Sequence, residues 1–147
     1  MKRVLSLSTF AVLAGAMLAS GSPADADAAS RHVVRPNLAG GATATNMRAV
    51  RGPYGGYAAR AGSTSVNPDG SASHRSGFAA AGARGSVESS GSASRDASGN
   101  VTQSRSTTAT SAVTGNSVQS STSYSSGSGL THSATCYSAA GAVIPCR

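Results

Sequence analysis

The scarcity of large apolar side chains constrains this chain more than any other feature. Beyond Ala28 the sequence offers thirteen Leu, Ile, Val and Phe residues, about 11% of that stretch, with one Phe (Phe78), one Ile (Ile144) and no Trp. Ser, Thr, Gly and Ala make up about 60% of the same residues. Ordering each residue costs on the order of 1–2 kcal/mol, while burial returns about 25 cal/mol per Å² of apolar surface. Small side chains have little such surface to bury. An oily globular interior is therefore excluded as the organising principle. What remains is a disordered chain, or thin β-structure held by backbone hydrogen bonds and closely stacked small side chains.

The first 28 residues read as a secretory signal peptide. Lys2 and Arg3 precede an apolar run from Val4 to Ala19, and overlapping Ala-x-Ala triplets follow at Ala24–Ala26 and Ala26–Ala28. The run is shorter than the roughly 20 residues a permanent membrane helix needs. The expectation is cleavage after Ala26 or Ala28, no stable transmembrane anchor, and a periplasmic, cell-surface or extracellular product. After cleavage at Ala28 the chain has ten Arg, no Lys and three acids, Asp69, Glu88 and Asp96.

From 29 to 61 the sequence shows no strand or helix period. Pro36 and Pro53 break helices, and Gly40-Gly41 and Gly55-Gly56 add freedom. This stretch reads as a disordered, flexible basic arm. It carries Arg31, Arg35, Arg48, Arg51 and Arg60, with Tyr54 and Tyr57 interleaved among Arg and Gly at 51–57. Arg contact and aromatic stacking of this kind suit anionic partners, namely anionic polysaccharide, lipopolysaccharide or nucleic acid.

From 62 to 134 the character changes to a Ser/Thr/Gly-rich β-repeat region. Turn signals recur at Pro68-Asp69-Gly70, Arg84-Gly85, Ser98-Gly99-Asn100, Thr114-Gly115-Asn116 and Ser128-Gly129, with Gly spacings of 15, 14, 16 and 14. Gly99-Asn100-x-x-Gln103-Ser104 recurs as Gly115-Asn116-x-x-Gln119-Ser120. One strand and one turn per unit account for such a period. The intervening segments alternate. From Val101 to Val113, Val101, Gln103, Arg105, Thr107, Ala109, Ser111 and Val113 share one face, opposite an almost pure Ser/Thr set from Thr102 to Ala112. Val118, Ser120, Thr122 and Tyr124 form another such face, as do Ala72, His74, Ser76 and Phe78. The fold class expected is all-β, as a repetitive antiparallel meander or as solenoid-like strands; the sequence does not choose between them.

Cys136 and Cys146 are the only cysteines. In an exported chain an even count implies a disulfide, and Gly141 between them suits a hairpin, so 135–147 reads as a disulfide-closed C-terminal hairpin. The spacing is not that of a redox centre, and no second pair completes a zinc site. His32, His74 and His132 are widely separated, no nucleophile elbow occurs, and the acids are dispersed. No enzyme activity, cofactor or metal is expected.

The Gly-Asn-x-x-Gln-Ser units, the turn from Arg95 to Asn100 and the Cys-bounded tail resemble small secreted Ser/Thr/Gly-rich proteins of Gram-negative bacteria, over roughly 62–147. That resemblance brings no activity with it. The Gly/Ser-rich strands with Asn and Gln at fixed offsets are loosely similar to curlin-type repeat subunits. Curlin repeats are longer and carry Gln and Asn at both ends of each unit. The functional expectation is an exported structural or surface-associated protein that can self-associate through its strands. The alternatives are a cationic binding module for anionic envelope polymers or nucleic acid, and a largely disordered secreted protein.

Overall fold

A computed structural model describes residues 27–146. The expected signal peptide lies outside the described residues except for Asp27 and Ala28. Nine strands follow one another: β1 (Asp27–Pro36), β2 (Ala42–Arg51), β3 (Tyr57–Val66), β4 (Ala72–Gly82), β5 (Gly85–Arg95), β6 (Val101–Ser111), β7 (Ser117–Ser125), β8 (Gly129–Tyr137) and β9 (Val143–Ile144). They form a single open sheet in the order β1 to β9, every neighbouring pair antiparallel. The fold is all-β, and the choice between meander and solenoid falls to the meander.

The loops explain why. Every connection holds one glycine with positive φ: Gly40, Gly55, Gly70, Gly85, Gly99, Gly115, Gly129 and Gly141. Five of the loops share one geometry. The first residue's N–H donates to the fifth residue's carbonyl, and the fourth residue, a glycine, donates to the first residue's carbonyl, as in Asn67→Ser71 (2.9 Å) and Gly70→Asn67 (3.1 Å). This is a tight turn followed by a left-handed residue, which reverses the chain directly into an antiparallel neighbour. A solenoid corner would instead send it on to a parallel one.

The stretch expected to be a flexible arm is ordered strand: β1, β2 and the first half of β3 lie within it. The residues that argued for disorder are its punctuation. Pro36 ends β1, and Pro53 opens the β2–β3 turn, where its fixed φ is favoured. Gly40 and Gly55 take the same positive-φ place as Gly70. The spacing of 15 therefore runs unbroken from Gly40 to Gly85.

Side-chain hydrogen bonds reinforce two loops. Asp69 accepts from the Ser71 hydroxyl (2.7 Å) and N–H (2.9 Å). Asp96 accepts from the Asn100 side chain (2.8 Å) and N–H (2.9 Å). These donors hold both carboxyls below their ordinary value of 3.8, the side-chain bond contributing most in each case. A depressed folded-state pKa gives stability that is complete above the unfolded value and lost as pH falls through the folded one. Acidification through and below 3.8 should therefore lower amide protection, measured against the intrinsic exchange rate at each pH, at Ser71 and Asn100, while protection in the Ser138–Ala142 loop, which has no carboxylate, should not respond.

Packing is confined to one layer. No large side chain among the described residues is buried; Gly62 alone reaches the interior class, covered by Asn46 and the Arg75 carbonyl. Stability comes from the ladders and from cross-strand hydroxyl pairs such as Ser94–Thr102 (2.7 Å), Ser123–Thr131 (2.6 Å) and Thr43–Ser65 (2.7 Å). The predicted disulfide is present: Cys136 and Cys146 join with 5.3 Å between their Cα atoms, within the ordinary range. It ties the chain end across β8 and the two-residue β9.

Candidate functional site: a cationic, amphiphilic sheet face

Residues opposite one another in an antiparallel ladder share a face, so the register fixes what each side of the sheet presents. One side holds a row that is apolar on every strand, from Ala28 through Val50, Val87 and Val118 to Ile144. Two residues on, the row reads Ser30, Arg48, Arg60, Phe78, Ser89, Thr107, Ser120, Ala134. The next includes His32, Asn46, Arg105 and His132, and the next Val34, His74, Gln103, Tyr124 and Leu130. The last carries Val66, Arg95 and Val101.

This face therefore collects Arg48, Arg60, Arg95 and Arg105 and all three His. Asp27 and Glu88 point to the other side, and Asp69 and Asp96 lie in loops, so among the described residues it has no strand-borne carboxylate. It also carries six of the twelve exposed large apolar side chains, Val34, Val50, Val66, Phe78, Tyr124 and Leu130, against Met47, Tyr57 and Val143 on the other side. The opposite face is dominated by hydroxyls on β5–β8, in rows such as Ser90-Ser106-Ser121-Ser133 and Ser92-Ser104-Ser123-Thr131. Along β5, Val87, Ser89, Gly91 and Ala93 are half-buried, whereas Ser86, Glu88, Ser90 and Ser92 are exposed.

Local contacts orient several of the polar groups. Arg105 donates to the Ser89 hydroxyl (3.1 Å), which is itself paired with Thr107 (2.9 Å). His74 Nδ1 lies 2.8 Å from the Thr64 hydroxyl, and His132 Nδ1 lies 2.9 Å from that of Thr122. Arg95 reaches the Gly70 carbonyl (2.7 Å) and so braces the β3–β4 loop. Arg48 and Arg60 stand directly opposite each other on neighbouring strands. Like charges so placed destabilise a sheet.

The residues expected from sequence to bind anions are divided by this geometry. Arg48 and Arg60 lie on the amphiphilic face. Arg31, Arg35, Arg51 and Tyr57 lie on the hydroxyl side, where Arg51 and Tyr57 are register partners. Tyr54 stands in the β2–β3 loop, 98% exposed. Sequence reasoning grouped these seven because they are close along the chain. It passed over Arg95 and Arg105, whose membership on the face depends on strand parity; the alternation from Val101 to Ala109 was the available signal.

The best-formed depression is open to solvent, about 650 Å³, and lies beside the apolar row between Ala109, Val118, Cys136 and Ile144. Among the described residues no three His, Cys, Asp or Glu side chains cluster as metal ligands, and no helix is long and apolar enough to cross a membrane. Comparison with family models, with curated proteins and with solved structures finds no match to this chain.

Proposed function

We propose that this is an exported structural protein of the cell envelope, a β-sheet scaffold whose working parts are its surfaces and edges. The observation that carries the reading is the single layer: nine antiparallel strands with both sides open to solvent and no large side chain buried among the described residues. Its shape derives from hydrogen-bonded strands of small residues, as a structural role requires. The Cys136–Cys146 disulfide supports an oxidising destination, and the layout of residues 1–28 supports export.

The edges support self-association through strands. Among the described residues β1 pairs only with β2, and β9 covers only Cys136 and Tyr137 of β8. The segment Gly129–Thr135 thus presents an unpaired edge with no charged Asp, Glu, Lys or Arg and no Pro, the kind of edge that accepts an added strand. Fractionation of the producing cell, with sequencing of the protein's N-terminus, tests the reading. The expected result is a chain beginning at Asp27 or Ala29 in a periplasmic, surface or secreted fraction, with the disulfide formed. An uncleaved, reduced chain in the cytoplasm would overturn it.

A further inference from the structure

Four arginines share the amphiphilic face with an apolar row along one margin and with Val34, Tyr124, Leu130 and Val66 toward the other. We propose that this face docks on an anionic lipid surface, the arginines meeting headgroup phosphates and the apolar margins entering the interface between headgroups and acyl chains. The inference builds on the reading of an envelope-associated scaffold by naming what would hold the scaffold in place. Its test uses purified protein, so it stands or fails separately from the question of export.

Three occupants compete for such a face, and the charge pattern separates them. A second copy laid face to face would bring four arginines against four more with no strand-borne carboxylate on either side among the described residues. Desolvating unpaired charge is strongly unfavourable. A hydrophilic polyanion would satisfy the arginines but leave the apolar side chains in water; Val34 is 59% exposed and Leu130 69%. An anionic lipid surface satisfies both, because guanidinium groups bind phosphate in bidentate fashion and apolar side chains gain by leaving water.

Extent and strain point the same way. Eight strands about 4.8 Å apart and ten rows about 3.4 Å apart give a face of roughly 1,200 Å², a broad platform rather than a pocket. Arg48 and Arg60 face each other across a ladder at a cost to the sheet, an arrangement that a phosphate between them would relieve. The membrane-spanning alternative fails on pattern: a β-barrel wall needs an outward apolar band about 25 Å tall, whereas here arginines stand in the second, third and fifth of the face's five rows.

The experiment measures co-sedimentation of the full chain with vesicles of phosphatidylcholine plus phosphatidylglycerol, with vesicles of phosphatidylcholine alone as background. Binding to the anionic vesicles should exceed the background and fall as salt is added. The double variant R48Q/R60Q should weaken it about thirty-fold, each arginine near an anionic surface being worth roughly fivefold. R31Q/R75Q, which removes as much charge from the hydroxyl side, should change it less than about threefold by the same reckoning. V34T/V50T should weaken it about tenfold through lost apolar burial. A β-type circular dichroism spectrum shared by all variants establishes that each is folded. Equal losses from the two arginine pairs would overturn the proposal. So would indifference to V34T/V50T, which assigns the face to a hydrophilic polyanion, or a solution dimer dispersed by R48Q/R60Q, which assigns it to a second copy.

Discussion

Replacing Gly85 with alanine is expected to destabilise the protein by about 3 kcal/mol, the sum of left-handed backbone strain and a steric overlap that only backbone movement relieves. β4 and β5 are joined by the shortest loop in the sheet, Ala83-Arg84, between paired Gly82 and Gly85. A two-residue connection ordinarily needs residues in the left-handed region, yet neither Ala83 nor Arg84 adopts it. Gly85 takes the turn at φ 145, and a Cβ there would run into the Thr110 carbonyl on β6 and lie 3.2 Å from the Ala112 nitrogen. The substitution thus strikes the β4–β5 turn and the β5–β6 ladder together, near the middle of the sheet. Urea unfolding followed by circular dichroism measures the shift. Gly127→Ala is the control, because a Cβ at Gly127 meets nothing within 4 Å, and a change within about 0.5 kcal/mol is expected there. Similar midpoints for the two variants would contradict the assigned role of Gly85.

Opening the Cys136–Cys146 disulfide is the second large effect. Closing a loop of this length contributes somewhat under 3 kcal/mol in the chain-entropy treatment, and β9 has little else to hold it. Its two residues pair only with Cys136 and Tyr137. Around it remain the loop bonds Ser138→Ala142 (2.8 Å) and Gly141→Ser138 (2.9 Å), with a contact from the Ala139 N–H to Asn116 (3.2 Å). Reduction, or C136S/C146S, should release β9 and expose the full length of β8. The expected readouts are lost amide protection at Ser138–Ala142 and light scattering that rises with protein concentration, because the lengthened edge is free to pair with another chain. Undiminished protection after reduction would show that the hairpin holds without its covalent tie.

How far the sequence disclosed this fold depends on the segment. Over Ala72–Phe78, Val101–Ser111 and Val118–Ser125 the alternation assigns each residue to the face on which it lies. Ala112 and Val113, expected to continue the strand, lie in the β6–β7 loop. There the chain is nearly pure strand and turn, with small residues that offer no competing pattern. The β-meander itself was not legible, because a turn glycine reads the same at a hairpin and at a solenoid corner; what decides is the hydrogen bonding around it. Residues 29–61 were misread because Pro36, Pro53 and the paired glycines were weighed as breakers rather than as loop residues. Counted with Gly70, Gly40 and Gly55 would have extended the period. The matched Gln103 and Gln119 are each the third residue of an antiparallel strand, so they fall near opposite ends of the sheet and on opposite faces. The amphiphilic face could not be read directly, since Arg48, Arg60, Arg95 and Arg105 come together only once register fixes their parity.

A meander in which each strand touches only its predecessor and its successor behaves as a one-dimensional array. No contact joins β1 to β9, or any other non-adjacent pair, among the described elements. Its free energy is then close to a sum of hairpin and neighbour contributions. Opening begins at the two ends and works inward, while assembly needs only sequence-local contacts and proceeds without long loop closures. The same independence makes length a free variable: a pair of strands with its two loops can be duplicated or excised without rewiring the remainder. The apolar row and the hydroxyl rows would then grow or shrink by two columns.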